Sequence, residues 1–299
     1  MNLHELEAFV AVVETGSVGA AAARLRLTQP AITRRLQALE TDLGTRLLDR
    51  ETRPPRLTAD GRAVLDRARL LLRGIDDLRA SVTPDAVPSG ELRLGVTPGV
   101  SDLALGKPIG ALRRAFPQLA LRLHSPWSNA LLAELRAGTV DAAAVLLPAG
   151  RTPPADFMGT RIGGDQVKVV AARRTRLPAA PGLADLAAHP WVLSPEGCYY
   201  HTSIGRAMTR ANLPFRVAVD LFGPEQQLAL VAEGIGLGLL PARVIARSRH
   251  RRALKTLDIV DFDLAVDLWV LHKPPLGRLG PAIACFSTAL AEGLGETAL

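Results

Sequence analysis

The amino-acid sequence predicts an α/β protein in two parts: an N-terminal, almost wholly α winged helix-turn-helix, and behind it a two-lobed α/β domain. Three observations predict it. Short blocks of apolar residues at helical spacing, separated by turn signals, fill the chain as far as Gly44. A long helix with a 3.5-residue repeat then runs into a segment rich in Pro, Ser and Gly. From Glu91 onward strand-like and helix-like stretches alternate, the pattern of a parallel sheet covered by helices. A length of 299 residues accommodates two compact units.

Leu3, Leu6, Phe9, Val10 and Val13 mark the first helix, and Thr15-Gly16 stops it. Ser17 caps a second, whose Ala20, Ala21, Ala23 and Leu25 form a small-residue face that lets another helix approach closely. After the break at Leu27-Thr28 a third helix opens. Thr28 is its expected cap, and Pro30 suits the first turn, where its missing N–H costs nothing. It runs through Ile32, Leu36 and Leu39 to Gly44. Helix, short turn, helix with a polar outer face is helix-turn-helix arithmetic. Leu47 to Thr58 holds too many prolines for a helix and reads as a strand pair, or wing. Leu57, Gly61, Val64, Ala68, Leu71, Ile75, Leu78 and Val82 then recur every 3.5 residues. That is either a seam between two chains or an amphipathic face packed on its own domain, with Ser81 to Gly90 a linker by composition.

The second part reads as strand 91–96, helix 103–116, strand 119–124, helix 130–137 and strand 140–147, a βαβαβ run. Strands at 167–172 and 191–193, helix 202–211, strand 217–220, helix 226–233 and strand 236–240 repeat the theme. A late strand at 264–271 leads back to the first half, and a helix at 281–294 closes the chain. Two similar halves place a ligand cleft between them.

Composition narrows the function. Neither a span of eighteen apolar residues nor a basic leader opens the sequence, so the expectation is a cytoplasmic protein without a membrane partner. Cys198 and Cys285 are too few for a disulfide framework and neither sits in a C-x-x-C pair. The net charge of +7 comes almost wholly from arginine. Residues 1–90 carry 13 basic and 12 acidic groups, so net charge alone does not locate a nucleic-acid site. Local charge does better: residues 24–56 hold eight arginines against Glu40, Asp42, Asp49 and Glu51.

The N-terminal segment is specific enough to carry a resemblance. Phe9 to Ser17, Ala21 to Leu25, Leu27 to Leu36, Leu39-Glu40, Leu43-Gly44, Leu47 to Arg50, Leu57-Thr58 and Asp60-Gly61 strongly resemble LysR-type transcriptional regulators. Leu135 to Asp141 and Val231 to Gly236, running on to Pro241, match more loosely. Leu48 stands where the family often has Phe. The resemblance implies a DNA-binding, dimerising regulator with a periplasmic-binding-protein-like effector domain. It divides the chain into a winged helix-turn-helix at 1–58, a dimerising linker helix at 59–83, a loop at 84–90 and a two-lobed effector domain at 91–299. Lobe 1 is then about 91–161 with 268–299, and lobe 2 about 162–267. Implied partners are double-stranded DNA, a small-molecule effector, a second copy in a homodimer that pairs into a homotetramer, and RNA polymerase.

A recognition helix sets its first residues against base edges in the major groove. Here these are Gln29, Pro30, Ala31, Thr33 and Arg34, with Thr28, the helix cap, counted in the same DNA-binding set. Gln29 suits adenine N6 and N7, Pro30 and Ala31 suit thymine methyls, and Arg34 suits guanine or the nearby backbone. Arg35 and Arg50 are assigned to phosphates, and Arg53 and Arg56 to the wing, following phosphates or entering the minor groove.

Cleft residues are expected at the carboxyl ends of strands. The candidates are Thr97, Pro98, Gly99, Ser125, Trp127 and Ser128 from one half. Ser194, Cys198, Tyr199, Tyr200 and Phe222 come from the other. Thr97, Ser125 and Ser128 are neutral donors that either hold an anion, most simply a carboxylate, or merely cap helices. Trp127, Tyr199 and Tyr200 supply flat apolar walls. Cys198 beside His201 has neither the resolving thiol that redox chemistry needs nor the close ligands that a metal needs, so neither metal nor cofactor is expected. Gly234 to Gly238 imitates a dinucleotide loop but leads into a strand rather than a helix. The basic run from Arg243 to Lys255 reads as a solvated helix face or a contact for an acidic partner. A small-molecule binding or transport protein is the competing function. An enzyme is a third, supported by no G-x-S-x-G, H-E-x-x-H or Walker sequence.

Overall fold

The structure, a computed structural model, describes residues 1–49, 55–81, 88–100 and 105–295. Contacts divide the chain into two compact units: Met1–Val87 with Glu134–Thr139 and Pro275–Arg278, and Pro88–Ala133 with Val140–Pro274 and Leu279–Leu299.

In the first unit α1 (Leu3–Thr15), α2 (Val18–Leu25) and α3 (Gln29–Leu43) precede a two-stranded wing, β1 (Leu48–Asp49) against β2 (Arg56–Leu57), and then α4 (Ala59–Ser81). Phe9, Ile32, Leu39 and Leu47 lie at the centre of one core that α1 shares with α2, α3 and α4. Asn2 and Glu5 form a capping box on α1, and the Ser17 hydroxyl accepts from the Ala20 N–H on α2. Thr28 differs from expectation: it occupies the N-cap of α3 with extended backbone, but its hydroxyl makes no capping bond. The early N–H groups of that helix turn to the Thr28 carbonyl instead.

The 3.5-residue repeat on α4 also divides. Gly61 and Ala68 are buried in the unit's own core, whereas Leu71 is 52% and Leu78 67% exposed. The reason is positional: the first turns of α4 lie against α1 and the wing, so a Cβ at Gly61 would meet the Leu47 carbonyl oxygen at 2.0 Å. Only the second half of the repeat, from Leu71, has an open face. Val82 lies outside the described residues.

In the second unit β3 (Gly90–Val96), α5 (Gly106–Ala115), β4 (Leu119–His124), α6 (Ser128–Ala137) and β5 (Ala142–Pro148) form the expected βαβαβ run, with β3 parallel to both neighbours. β6 (Met158–Ala172) is the main departure, because only its second half is legible as a strand. Met158 to Gln166 contains three glycines and no apolar alternation, so pairing with a distant strand makes it extended. There follow α7 (Leu183–Leu186), β7 (Trp191–Leu193), α8 (Tyr199–Arg210), β8 (Val217–Asp220), α9 (Pro224–Ala232) and β9 (Leu237–Pro241). The chain ends in α10 (Ala242–Arg247), β10 (Leu254–Leu257), β11 (Ala265–His272) and α11 (Gly280–Gly295), the last packed on α5.

One sheet runs β4-β3-β5-β11-β6-β9-β7-β8, with β10 also on β6. β11 pairs antiparallel with β5 and with the first part of β6, from Met158 to Gln166. Val167 onward pairs with β9 and β10. β6 is thereby shared by two halves of the sheet, and a cleft opens beside the crossing. The basic run from Arg243 to Lys255 is corrected here. Arg243 is tied to Asp165 at 2.7 Å, and Lys255 donates to the Thr175 carbonyl at 2.7 Å, so part of it holds the fold together.

Candidate functional site

On the first unit the surface of interest is the start of α3. Thr28, Gln29, Pro30 and Arg34 are exposed, while Ala31, Thr33 and Arg35 are half-buried. The Gln29 amide lies over α2, where a Cβ on Gly19 would meet its nitrogen at 3.1 Å. Thr33 donates its hydroxyl proton to the Gln29 carbonyl at 3.0 Å, so it offers a partner an acceptor and a methyl rather than a free donor. Arg56 stands exposed on β2. Arg50 and Arg53 lie outside the described residues.

In the second unit a cleft of about 310 Å³ opens between the two halves of the sheet. Thr97, Pro98 and Gly99 enter it from the end of β3, and Trp127 and Ser128 from the start of α6. Ser194, Cys198, Tyr199, Tyr200 and Phe222 enter from the other half. Three helices begin earlier than their apolar pattern suggests: α6 at Ser128, α8 at Tyr199 and α9 at Pro224. Tyr199 and Tyr200 are therefore first-turn helix residues rather than loop residues, because helix geometry extends through the polar first turn that faces the cleft.

The hydroxyls fare differently. Thr97 is 3% exposed with its N–H on the Ala144 carbonyl, and its hydroxyl has no partner among the described residues. The Ser128 oxygen accepts the Leu146 N–H at 3.1 Å, which leaves its proton to donate. Ser125 is corrected: it is not part of the cleft wall, and its proton goes to the Val96 carbonyl. Its hydroxyl ties two strand ends together. Ser194 accepts from the buried Gln227 amide, which also donates to the Leu221 carbonyl.

Trp127 and Phe222 stack across the cleft, ring centroids 5.6 Å apart and planes 18° apart, and they come from opposite halves of the sheet. Gly197 makes room for them, since at φ 93° a side chain there would be strained and its Cβ would meet the indole at 2.6 Å. Cys198 sits at the N-cap of α8 without a side-chain capping bond, and burial pushes its thiol up. Among the described residues no group of His, Cys, Asp and Glu could hold a metal ion.

Sequence reasoning missed the charged members. Arg151, in the turn after β5, and Arg206, seven residues along α8 from Tyr199, both line the cleft. Neither has a carboxylate partner among the described residues, and no described Asp or Glu lines the cleft. The Arg151 turn is anchored from beneath: buried Asp267 on β11 accepts the Gly150 N–H at 3.0 Å and the Arg161 guanidinium at 2.6 Å. That guanidinium holds the Asp267 carboxyl below its ordinary range. Helical spacing of Tyr199, Thr202 and Arg206 was the available signal for one arginine; nothing local marked Arg151.

A winged helix-turn-helix joined to a cleft-bearing two-lobed domain defines the class of ligand-responsive DNA-binding regulators. Residues 3–62 match the bacterial regulatory helix-turn-helix proteins of the LysR family, and residues 85–295 match the LysR substrate binding domain. The chain belongs to the LysR family of transcriptional regulators. It is 34% identical over 271 residues to the SDS degradation transcriptional activation protein of a Pseudomonas strain, covering 86% of this chain and 85% of that one. In fold it is similar to a full-length OxyR of Pseudomonas aeruginosa, with a TM-score of 0.78 at 20% identity over 97% of this chain and 98% of that one. It is also similar to CbnR in complex with its target DNA, with a TM-score of 0.56 at 26% identity over 98% of this chain and 100% of that one. Among the described residues no helix is long and apolar enough to cross a membrane.

Proposed function

We propose that this LysR-type regulator answers to a small anion with an apolar or aromatic body, held between the lobes of residues 91–299. The observation that carries this reading is the charge of the cleft: two arginines, Arg151 and Arg206, and no carboxylate among its described lining residues. Thr97 and Ser128 add neutral donors, and Trp127, Tyr199 and Phe222 add apolar wall. In a narrow, half-dry cleft an unpaired guanidinium favours a carboxylate or sulfate, which it meets with two parallel N–H bonds. The Pseudomonas relative is named for SDS degradation, and dodecyl sulfate is an anion with an apolar body, which places an alkyl sulfate among the compounds to test.

DNA reading falls to the domain at 1–58 through Gln29, Pro30, Ala31, Thr33 and Arg34, with Thr28, Arg35, Arg50, Arg53 and Arg56 on the backbone or wing. The linker helix at 59–83 brings two copies together through Leu71, Ile75 and Leu78, and dimers pair into tetramers at the promoter, where RNA polymerase is met. The effector biases the angle between lobes, and so the spacing of two recognition helices. A cytoplasmic location follows from this role.

The test is calorimetric titration of the full chain with benzoate, phenylacetate, hexanoate and dodecyl sulfate, beside benzylamine and glucose. Acids should bind wild type and lose about tenfold or more in Arg206→Ala, the scale of one charge-assisted pair. Preference for the amine or the sugar overturns the anionic reading.

A further inference from the structure

Beside the cleft lies a second, smaller cavity of about 30 Å³, against the strands β6 and β11 where the halves of the sheet meet. The two spaces share a wall formed by Gly99, Leu146, Tyr200 and Pro241. Tyr200 is 8% exposed, and its phenolic oxygen is buried without a hydrogen-bond partner. A buried hydroxyl in that state is uncommon in a folded protein and marks a place where something polar belongs. On the far side of the small cavity stand Asp165 and Arg243, paired at 2.7 Å, with Arg243 also donating to the Gly164 carbonyl at 2.6 Å. Both act on the Tyr200 phenol, whose titration burial pushes far upward, so it is a neutral donor at any physiological pH.

Size and chemistry together choose the occupant. The cavity is about a tenth of the cleft's volume, room for a small polar group beside the main body of a ligand. An oxygen there meets a phenol O–H that needs an acceptor and a carboxylate that accepts. A hydroxyl satisfies both at once, whereas a carbonyl satisfies only the phenol. Gly99, Gly163 and Gly164 keep the walls backbone-thin, which leaves that space open.

We propose that the small cavity is a hydroxyl subsite of the cleft, with Tyr200 the residue that selects a hydroxylated anion over its unsubstituted parent. The inference rests on the anionic reading of the cleft: the charged end faces Arg151 and Arg206, and the hydroxyl reaches past Leu146 to Tyr200 and Asp165. A site built to bond a hydroxyl rejects the analogue that lacks it, because its own polar groups are then left unpaired.

The experiment is titration of the full-length protein and its Tyr200→Phe variant with paired acids. The pairs are benzoate with its 3- and 4-hydroxy forms, phenylacetate with 4-hydroxyphenylacetate, and hexanoate with 6-hydroxyhexanoate. At least one hydroxylated member should bind wild type about tenfold or more tightly than its parent. Tyr200→Phe should bring that ratio to within about twofold, since only the phenolic oxygen is removed. Acids that bind wild type without any preference for the hydroxyl, or a preference that survives in Tyr200→Phe, overturn the hydroxyl subsite alone. Failure of every acid to bind wild type overturns the anionic reading and the subsite with it. A circular-dichroism melt within a few degrees of wild type establishes that the variant is folded.

Discussion

Helices α3 and α8 both begin at a proposed binding surface, and they are held there by different means. Helix α3 offers residues that follow one another in sequence, Thr28 to Arg34, on the first unit's core centred on Phe9, Ile32 and Leu39. Helix α8 contributes Tyr199, Tyr200 and Arg206 to a cleft whose other walls come from the ends of β3, β5, β8 and the start of α6. The proposed DNA-facing surface is a local property of one element supported by its own unit. The cleft exists only where strands distant in sequence are brought side by side. A substitution in the first should therefore act on one function, and a substitution in the second should act through its neighbours as well.

The largest expected effect tests whether the first unit has an open face beyond its own core. Leu71→Asp with Leu78→Asp should weaken self-association of the full chain by on the order of 100-fold, because an unpaired charge would be buried in the seam. The first half of α4 packs within its own unit and should hold the fold. Sedimentation at several concentrations reads it, and an unchanged dimer removes the seam.

Next comes Gly61→Ala, whose new Cβ would meet the Leu47 carbonyl oxygen. Backbone cannot yield there as a side chain would, so the first unit should lose about 1–3 kcal/mol or more. Operator binding should fall while acid binding in the cleft stays near wild type. Equal loss of both would blur the contrast between the two units.

A smaller effect separates specification from positioning within α3. Gln29→Ala should cost about 1–3 kcal/mol on an operator duplex and little on a scrambled one. Arg35→Ala should weaken both alike and lower the salt slope by about one. Electrophoretic shifts across a salt series distinguish them, and equal losses for Gln29→Ala on both duplexes would remove its assignment to a base.

The smallest concerns Asp267, the buried anchor under Arg151. Its folded pKa lies below the ordinary carboxylate value, so the unfolded chain binds more protons at low pH. Its stabilisation is then present above about pH 4, near the unfolded pKa, and fades as pH falls through the lower folded value. Asp267→Asn should show a shallower loss of Tm than wild type on acidification below about pH 4. Parallel acid profiles for the two proteins would mean that the Arg161 and Gly150 contacts contribute nothing to stability.

The sequence by itself determined the helices of the first unit, their stops at Gly16 and Gly44, and the polar residues presented at the start of α3. It also determined that strands and helices alternate after Gly90, and that Thr97, Trp127, Ser128, Tyr199 and Tyr200 stand at strand or helix ends. These features follow from periodicity, caps and turn chemistry, which act over a few residues. Tertiary structure decided the rest. Met158 to Gln166 is a strand because β11 lies beside it, not because its own residues favour one. Thr28 caps without its hydroxyl, and Ser125 gives its proton to Val96 rather than to the cleft, because each neighbour's geometry set the available partner. Arg151 carries no mark in sequence that separates it from the other arginines, and Arg206 only its helical spacing from Tyr199 and Thr202. What distinguishes them is that a folded sheet leaves both beside one cavity with no carboxylate among its described wall residues, and electrostatic pairing depends on distance in space rather than along the chain.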